Sequence, residues 1–243
     1  TELARAALER LETAGEDVPP GDAAAVAAGA GEHRRAVDLW QAAIAGAAEP
    51  PAAWTRSLAA SLEALGERDE VVALVDEFLA ARSGDPLAPD LARTRADTLD
   101  RMDRDREAAE ALADLATRWP TAPGASEALR RRAALVQALD GPIAGAAALD
   151  DLIARYPRQS WSEDDGFRAG FLYWRGGDLA RATERWSVVG EGGRPVDRPR
   201  ASYWLGRAAY DAGAADLAAH YWSAAADADP FGYYGVRAAE RLG

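Results

Sequence analysis

One structural unit recurs along the chain, and this repeat restricts the possible folds more than any other feature of the sequence. Six turn signals, each followed by a new helical pattern, are spaced 35, 37, 38, 36 and 36 residues apart. They lie at Gly31-Glu32, Gly66-Glu67, Asp103-Arg104, Gly141-Pro142, Gly177-Asp178 and Gly213-Ala214. Periods of about 20 to 50 residues indicate units that bury apolar surface against their neighbours. The chain is therefore expected to stack one kind of unit repeatedly.

Two further features recur in register with the turns. Five residues after each turn the side chain is small in five units and valine in the sixth: Ala36, Val71, Ala108, Ala146, Ala182 and Ala218. A proline follows each turn 16 to 20 residues later, at Pro50, Pro86, Pro120, Pro157, Pro195 and Pro230. Small residues allow two helices to cross closely, whereas proline breaks a helix interior. Each unit is therefore predicted to be a helical hairpin with a proline in the passage to the next.

Apolar residues keep a helical period on both sides of a turn. Around Gly66 they are Leu58, Leu62 and Leu65 before it, then Val71, Leu74, Val75 and Phe78 after it. This spacing is typical of two antiparallel amphipathic helices. With 49% hydrophobic residues in 243, the chain can bury a substantial core. The sequence predicts an all-α protein.

These repeats resemble tetratricopeptide repeats, although the aromatic and glycine positions of that family's first helix are poorly kept. The resemblance implies a right-handed α-solenoid of tetratricopeptide-like helical hairpins, forming a single α-superhelical domain over 1–243 whose concave face binds partners. The predicted hairpins are 21–47, 51–82, 86–118, 122–156, 162–190 and 197–228, with a helix at 2–14 before them and a capping helix at 231–242. Asp229 is predicted to cap that last helix, with Pro230 as its first residue. The glycine-rich segment 190–195 is a candidate hinge.

The C-terminal 45 or so residues carry a more distinctive pattern. Its members are Ala201, Tyr203, Trp204, Arg207, Tyr233, Tyr234, Gly235, Leu242 and Gly243. This pattern resembles the end of the superhelical region of soluble lytic murein transglycosylases. The resemblance implies a periplasmic or extracytoplasmic protein. In it the chain would be a non-catalytic scaffold that positions the peptidoglycan glycan strand and a catalytic domain beginning soon after Gly243.

No catalytic residue is expected within this chain. The resembling family uses a glutamate followed by serine, and this sequence contains no Glu-Ser pair. Asp150-Asp151 and Glu163-Asp164-Asp165 are interpreted as solvated or helix-capping carboxylates, since neighbours on one helix point in different directions. His33 and His220 lie in different repeats without metal-ligand spacing. No metal or other cofactor is expected.

Aromatic residues concentrate in the C-terminal third of the chain, where 14 of the 19 lie between Trp161 and Tyr234. Two helical stripes stand out: Phe167, Phe171 and Trp174, then Tyr203, Arg207 and Tyr210. Both stripes are interpreted first as core packing. The candidate binding residues are Arg207, Tyr203, Trp204, Tyr233 and Tyr234. Arg207 can bind a carboxylate of a wall peptide or pair with a local acidic residue.

Charge excludes some partners. The formal net charge of −12 and the isoelectric point near 4.7 disfavour nucleic acid, which is bound through clustered basic residues. No apolar run reaches the length of a membrane span. The alternative function is a tetratricopeptide-like adaptor, in the cytoplasm or outside it, that binds a peptide or helix in its groove. The reading frame of the parent gene would distinguish the two functions, because a transglycosylase needs a secretion signal upstream of this segment and a domain with the Glu-Ser pair downstream of it.

Overall fold

The computed structural model describes residues 18–157, 162–192 and 194–243, together with residues 6, 7, 10, 13 and 14. Within these ranges the chain forms thirteen α-helices, one short 3-10 helix and no strand. The helix predicted at 2–14 lies mostly outside the described residues. None of the helices described is both long and apolar enough to cross a lipid bilayer.

The helices follow one another as pairs joined by short turns. Their bounds are α1 Pro20–Gly29, α2 His33–Gly46, α3 Ala52–Leu65, α4 Arg68–Ala81, α5 Ala88–Arg101, α6 Asp105–Arg118, α7 Ala125–Asp140, α8 Pro142–Arg155, α9 Ser162–Arg175, α10 Leu179–Gly192, α11 Arg198–Asp211, α12 Ala215–Ala228 and α13 Tyr233–Leu242. The 3-10 helix, Pro195–Asp197, precedes α11. The prediction of an all-α solenoid of helical hairpins is confirmed. Helix α10 continues to Gly192, so the first part of the candidate hinge at 190–195 is helical.

The chain divides into two compact units, Thr1–Ala122 and Pro123–Gly243. The first contains three hairpins, α1/α2, α3/α4 and α5/α6. The second contains α7/α8, α9/α10 and α11/α12, followed by α13, which packs on α12 and α11. The single domain over 1–243 stays a prediction.

The turn residue of each of the six predicted turns has a positive φ. Five contain a glycine with φ between 79° and 90°, and Asp103 has φ 56° in the sixth. This left-handed region suits glycine, and aspartate tolerates it better than most residues do. All six residues that lie five positions after a turn are 0% exposed. This complete burial is what a close helix crossing at these positions would require.

Polar contacts connect equivalent positions of neighbouring hairpins. In the first unit Arg34 pairs with Glu67, and Arg101 Nη2 lies 2.7 Å from Glu63 Oε1. In the second unit Arg130 Nη2 lies 3.0 Å from Asp165 Oδ2. These partners are 33 to 38 residues apart, which is one repeat. Exposed ion pairs contribute little stability one by one. Their spacing nevertheless matches the register in which successive hairpins stack.

In two consecutive hairpins a tryptophan of the second helix packs directly on a glycine of the first helix. A Cβ on Gly170 would lie 2.6 Å from Trp186 Nε1, and a Cβ on Gly206 would lie 2.4 Å from Trp222 Nε1. Trp186 Nε1 donates to the carbonyl of Phe167 and Trp222 Nε1 to the carbonyl of Tyr203, each at 3.2 Å. In each hairpin a hydrogen bond thus fixes the indole ring, and the ring fills the space that glycine leaves by having no side chain.

The start of the last helix differs from the prediction. Asp229 does not cap α13, and Pro230 is not its first residue, because α13 begins at Tyr233 with Gly232 as its N-cap residue. The Gly232 amide instead donates to the Asp229 carbonyl at 3.1 Å, which closes a turn before the helix. Gly235 sits so close to that carbonyl that an added Cβ would lie 1.8 Å from its oxygen. Close packing of α13 against the end of α12 therefore sets where the helix begins.

The outer rings of this segment differ strongly in burial. Phe231, at the start of the predicted capping helix, is 95% exposed. Tyr233 is 70% exposed, whereas Tyr234 is half-buried with its ring centroid 5.7 Å from that of Tyr203.

Tyr234→Ala is expected to lower the free energy of unfolding by about 1 to 2 kcal/mol, since it removes a partly buried ring. Tyr233→Ala, the matched control, is expected to cost less than about 0.5 kcal/mol. Urea unfolding followed by circular dichroism compares the two variants. Equal losses would show that α13 is not held by Tyr234.

Candidate functional site

The second unit carries one surface on which aromatic rings and arginines alternate. It is formed by the first helices of two consecutive hairpins, α9 and α11. We call it the aromatic–arginine face, and its members are Phe167, Phe171, Trp174, Arg200, Trp204 and Arg207. All six side chains are half-buried. The face is therefore part of the packing between hairpins and also accessible to solvent.

Trp204 lies at the centre of this face. Its ring centroid is 5.1 Å from that of Trp174, 5.2 Å from that of Phe171 and 5.5 Å from that of Trp186. The contacts with Trp174 and Phe171 are edge-to-face, a favoured aromatic geometry worth about 0.5 to 1.5 kcal/mol a pair. Rings from both helices of the preceding hairpin, α9 and α10, thus hold Trp204 in one orientation.

The two arginines of the face rest on aromatic rings. The guanidinium carbon of Arg200 lies 4.1 Å from the Phe167 ring centroid, and that of Arg207 lies 5.6 Å from a Trp174 ring centroid. Three N–H groups that are themselves buried have no acceptor in the structure: Arg200 Nε, Trp204 Nε1 and Arg207 Nε. Their spacing of four and three residues places them on one stripe of α11. This stripe has hydrogen-bonding capacity that the fold does not use.

Asp211 joins the two helices at one end of the face. Its Oδ2 accepts a hydrogen bond of 2.7 Å from Trp174 Nε1, and its Oδ1 lies 3.7 Å from Arg207 Nη2. The second distance is too long for a hydrogen bond. The carboxylate is therefore held by Trp174 and is only an electrostatic neighbour of Arg207.

The structure separates the five residues that the sequence nominated for binding. Trp204 and Arg207 lie on the aromatic–arginine face, and the Arg207 side chain is 24% exposed. Tyr203 is only 7% exposed and packs against Tyr234 behind the face. Tyr233 lies outside on α13. A binding role for any of the five stays a prediction.

Two members of the site escaped the sequence analysis. Arg200 and Asp211 lie four residues before and seven residues after Trp204, on the stripe that includes Arg207. Extending the helical period in both directions would have found them. Phe167, Phe171 and Trp174 were read as core, and they do pack on Trp204 while remaining half-buried.

The acidic residues singled out in the sequence are paired within the fold. Asp150 accepts a hydrogen bond of 2.7 Å from the Tyr173 hydroxyl, and its Oδ1 lies 2.8 Å from Arg185 Nε. Burial, and next the hydrogen bond to Asp150, raise the pKa of Tyr173 to about 12. Asp151 Oδ1 lies 2.9 Å from Arg155 Nε. Asp164 and Asp165 contact arginines of neighbouring helices, and the Glu163 side chain lies outside the described part. These contacts give structural roles to the described carboxylates.

Among the residues that the structure describes, no group of three His, Asp or Glu side chains could hold a metal ion. The first unit has a separate concavity of about 480 Å³ between α4, α5 and α6, lined by both acidic and basic residues. Within it Arg95 Nε lies 2.5 Å from Asp76 Oδ1, and Arg118 Nη1 lies 3.2 Å from Asp114 Oδ2. Both lining arginines are thus paired with lining carboxylates, and the further acidic residues Glu107 and Glu110 leave the lining net acidic.

No protein-family model and no curated protein matches the chain. Similar solved structures include YrrB, described as a TPR protein with an unusual peptide-binding site, at 15% identity and TM-score 0.47, covering 77% of this chain and 91% of that one. A MamA protein is 19% identical, with TM-score 0.45 and coverages of 72% and 90%. BtubC from P. vanneervenii is 17% identical, with TM-score 0.43 and 93% of each chain covered.

Proposed function

We propose that this chain is a non-catalytic scaffold that binds an extended segment of a partner protein on its aromatic–arginine face. The observation that carries the proposal is the partly exposed guanidinium of Arg207, which lies 3.7 Å from Asp211 and is set among rigid aromatic rings. An extended peptide presents carbonyl oxygens that can accept hydrogen bonds from the exposed part of this guanidinium. Tryptophan and arginine also dominate the energetics of protein interfaces.

Other partner classes are less compatible with the same face. A chain of net charge −12 repels nucleic acid phosphates, whose binding depends on clustered positive charge. The described pairs of acidic residues are occupied by internal arginine and tyrosine contacts, which argues against glycosidase-like chemistry at them.

Selection of a phage-displayed peptide library on the immobilised chain tests the proposal. Synthetic versions of the selected peptides are expected to bind the whole chain in isothermal titration, and Arg207→Gln to weaken this binding by about tenfold or more. Arg95→Gln, in the first unit, is the matched control and should bind with unchanged affinity. Failure to select a binding peptide, or equal affinity of the Arg207→Gln variant, would refute the proposal.

A second candidate is the helical region of a cell-wall lytic transglycosylase, favoured by the C-terminal residue pattern. In the structure Ala201 is 0% exposed, Tyr203 is buried, and Gly235 lies against the Asp229 carbonyl. These members of the pattern support packing of α11 to α13, so the resemblance bears more on architecture than on glycan binding. This candidate implies an extracytoplasmic location.

Co-sedimentation with purified, insoluble peptidoglycan tests the second candidate. Binding that soluble glycan fragments compete away would support it, whereas no co-sedimentation would remove it. The isolated chain is expected to release no soluble fragments from the same peptidoglycan.

A further inference from the structure

We infer that the aromatic–arginine face selects a partner segment that bears a carboxylate. In the unbound chain the carboxylate of Asp211 lies beside Arg207, where it competes with the carboxylate of the partner. This inference rests on the proposed function and specifies the chemistry of the partner. The helix α11 carries three arginines, Arg198, Arg200 and Arg207, against one acidic residue, Asp211. Arg200 is already paired with Asp164 and Asp197, so Arg207 is the arginine of this face whose charge a partner can use.

Arg207 is the arginine of this face that has binding capacity left. A guanidinium has five N–H donors in a fixed planar arrangement that matches a carboxylate. The Arg207 side chain is 24% exposed, and the ion-pair distance from its Nη2 to Asp211 is 3.7 Å. Arg200, by contrast, has Asp197 at 2.9 Å and Asp164 at 3.2 Å from its Nη2. An incoming carboxylate therefore gains more at Arg207 than at Arg200.

Asp211 is placed to compete with such a carboxylate. Its Oδ2 is fixed by Trp174 Nε1 at 2.7 Å, which prevents the group from moving freely toward Arg207. Its side chain is 30% exposed, so a second carboxylate can approach from solvent on the same side. Asp211 thus keeps Arg207 partly neutralised while leaving its hydrogen bonds available.

The rings beside Arg207 give the rest of the specificity. The Trp174 and Trp204 centroids are 5.1 Å apart, and both rings are half-buried. A residue next to the bound carboxylate would lie against their exposed edges, where an apolar side chain buries surface. The favoured segment is therefore an extended one with an acidic group beside an apolar or aromatic residue.

The experiment uses paired synthetic peptides, selected on the whole chain, in which every Asp and Glu is replaced by Asn and Gln in the second member. C-terminally amidated and free forms of each distinguish a side-chain carboxylate from a terminal one. The acidic member is expected to bind about tenfold more tightly, and Arg207→Gln to abolish that difference.

Asp211→Asn is the decisive variant. Its amide oxygen can still accept from Trp174 Nε1, while the negative charge beside Arg207 is gone. Its affinity for the acidic peptide is expected to rise about threefold or more, with no change for the neutral peptide. Asp114→Asn in the first unit, also an exposed partner of an arginine, is the control and should change neither affinity.

The outcomes separate the two claims. If no peptide binds, the proposed function fails. If the acidic and neutral peptides bind equally, or Asp211→Asn brings no gain while melting at the wild-type temperature, the carboxylate inference is overturned and peptide binding stands. Should Asp211→Asn melt early, Trp174→Phe replaces it: it frees Asp211 to pair with Arg207, and it must then weaken the acidic peptide selectively. Tighter binding of a glycan fragment than of either peptide would also overturn the inference.

Discussion

Replacing Gly206 by alanine is expected to lower the free energy of unfolding by about 3 kcal/mol. The added methyl carbon would lie 2.4 Å from Trp222 Nε1, far inside van der Waals contact. The indole cannot move aside cheaply, because its Nε1 donates to the Tyr203 carbonyl on the same helix as Gly206. Helix α11 and helix α12 would have to separate instead, and the core of the last hairpin would open.

Gly29→Ala is the matched control for this prediction. Gly29 is also helical, and an added Cβ would meet no atom within 4 Å. There alanine is expected to stabilise the chain by about 0.5 to 1 kcal/mol, since it has the better helix propensity. Urea unfolding of both variants, monitored by tryptophan fluorescence and circular dichroism, measures the difference. Similar unfolding midpoints for the two variants would show that the packing of Trp222 does not require glycine at position 206.

Raising the pH from 9 to 12 is expected to remove stability of the order of 2 kcal/mol through one side chain, Tyr173. Its hydroxyl donates to Asp150, and its side chain is 2% exposed. The pKa of Tyr173 is raised to about 12, whereas tyrosine in an unfolded chain titrates near 10. Because the folded-state pKa is the higher one, the contribution is complete below pH 10. It is lost as pH rises toward 12.

Tyr173→Phe separates this effect from general alkaline unfolding. The variant should be less stable at pH 8 by about 1 kcal/mol, the worth of one hydrogen bond, and should lose less stability between pH 9 and 12. Tyr233→Phe, at a 70% exposed ring, should keep the full decline. Melting temperatures of the wild type and both variants, measured between pH 9 and 12, test this expectation. Parallel curves for the wild type and Tyr173→Phe would contradict the assignment.

The hairpins could be predicted because their signals are local. A left-handed turn residue such as Gly66 and a fully buried small residue five positions later lie within one stretch of chain. Even Asp103, the one turn residue among the six that is not glycine, was found from the period alone. The start of α13 was missed because it depends on a tertiary contact, the approach of Gly235 to the Asp229 carbonyl. Cap preferences at Asp229 and Pro230 could not reveal that contact.

The candidate site was predicted only in part for a similar reason. Trp204 and Arg207 could be nominated from their residue types. The hydrogen bond between Trp174 and Asp211 joins residues 37 positions apart, so it requires the register between two hairpins. Tyr203 was nominated for the same aromatic character as Trp204, yet it faces the core. Adjacent residues of a helix point in different directions, so a shift of one position decides whether an aromatic ring lies on the face or in the core. Residue type alone does not reveal which of the two it is.

The pairing of each helix with its immediate neighbours also bears on how the chain folds. Within each unit nearly all contacts between elements join helices that are adjacent or next but one in sequence. Such low contact order favours rapid folding and allows stability to vary from hairpin to hairpin. Amide hydrogen exchange should therefore show protection that varies from hairpin to hairpin along the second unit. The Gly206→Ala substitution should accelerate exchange in α11 to α13 more than in α7 and α8.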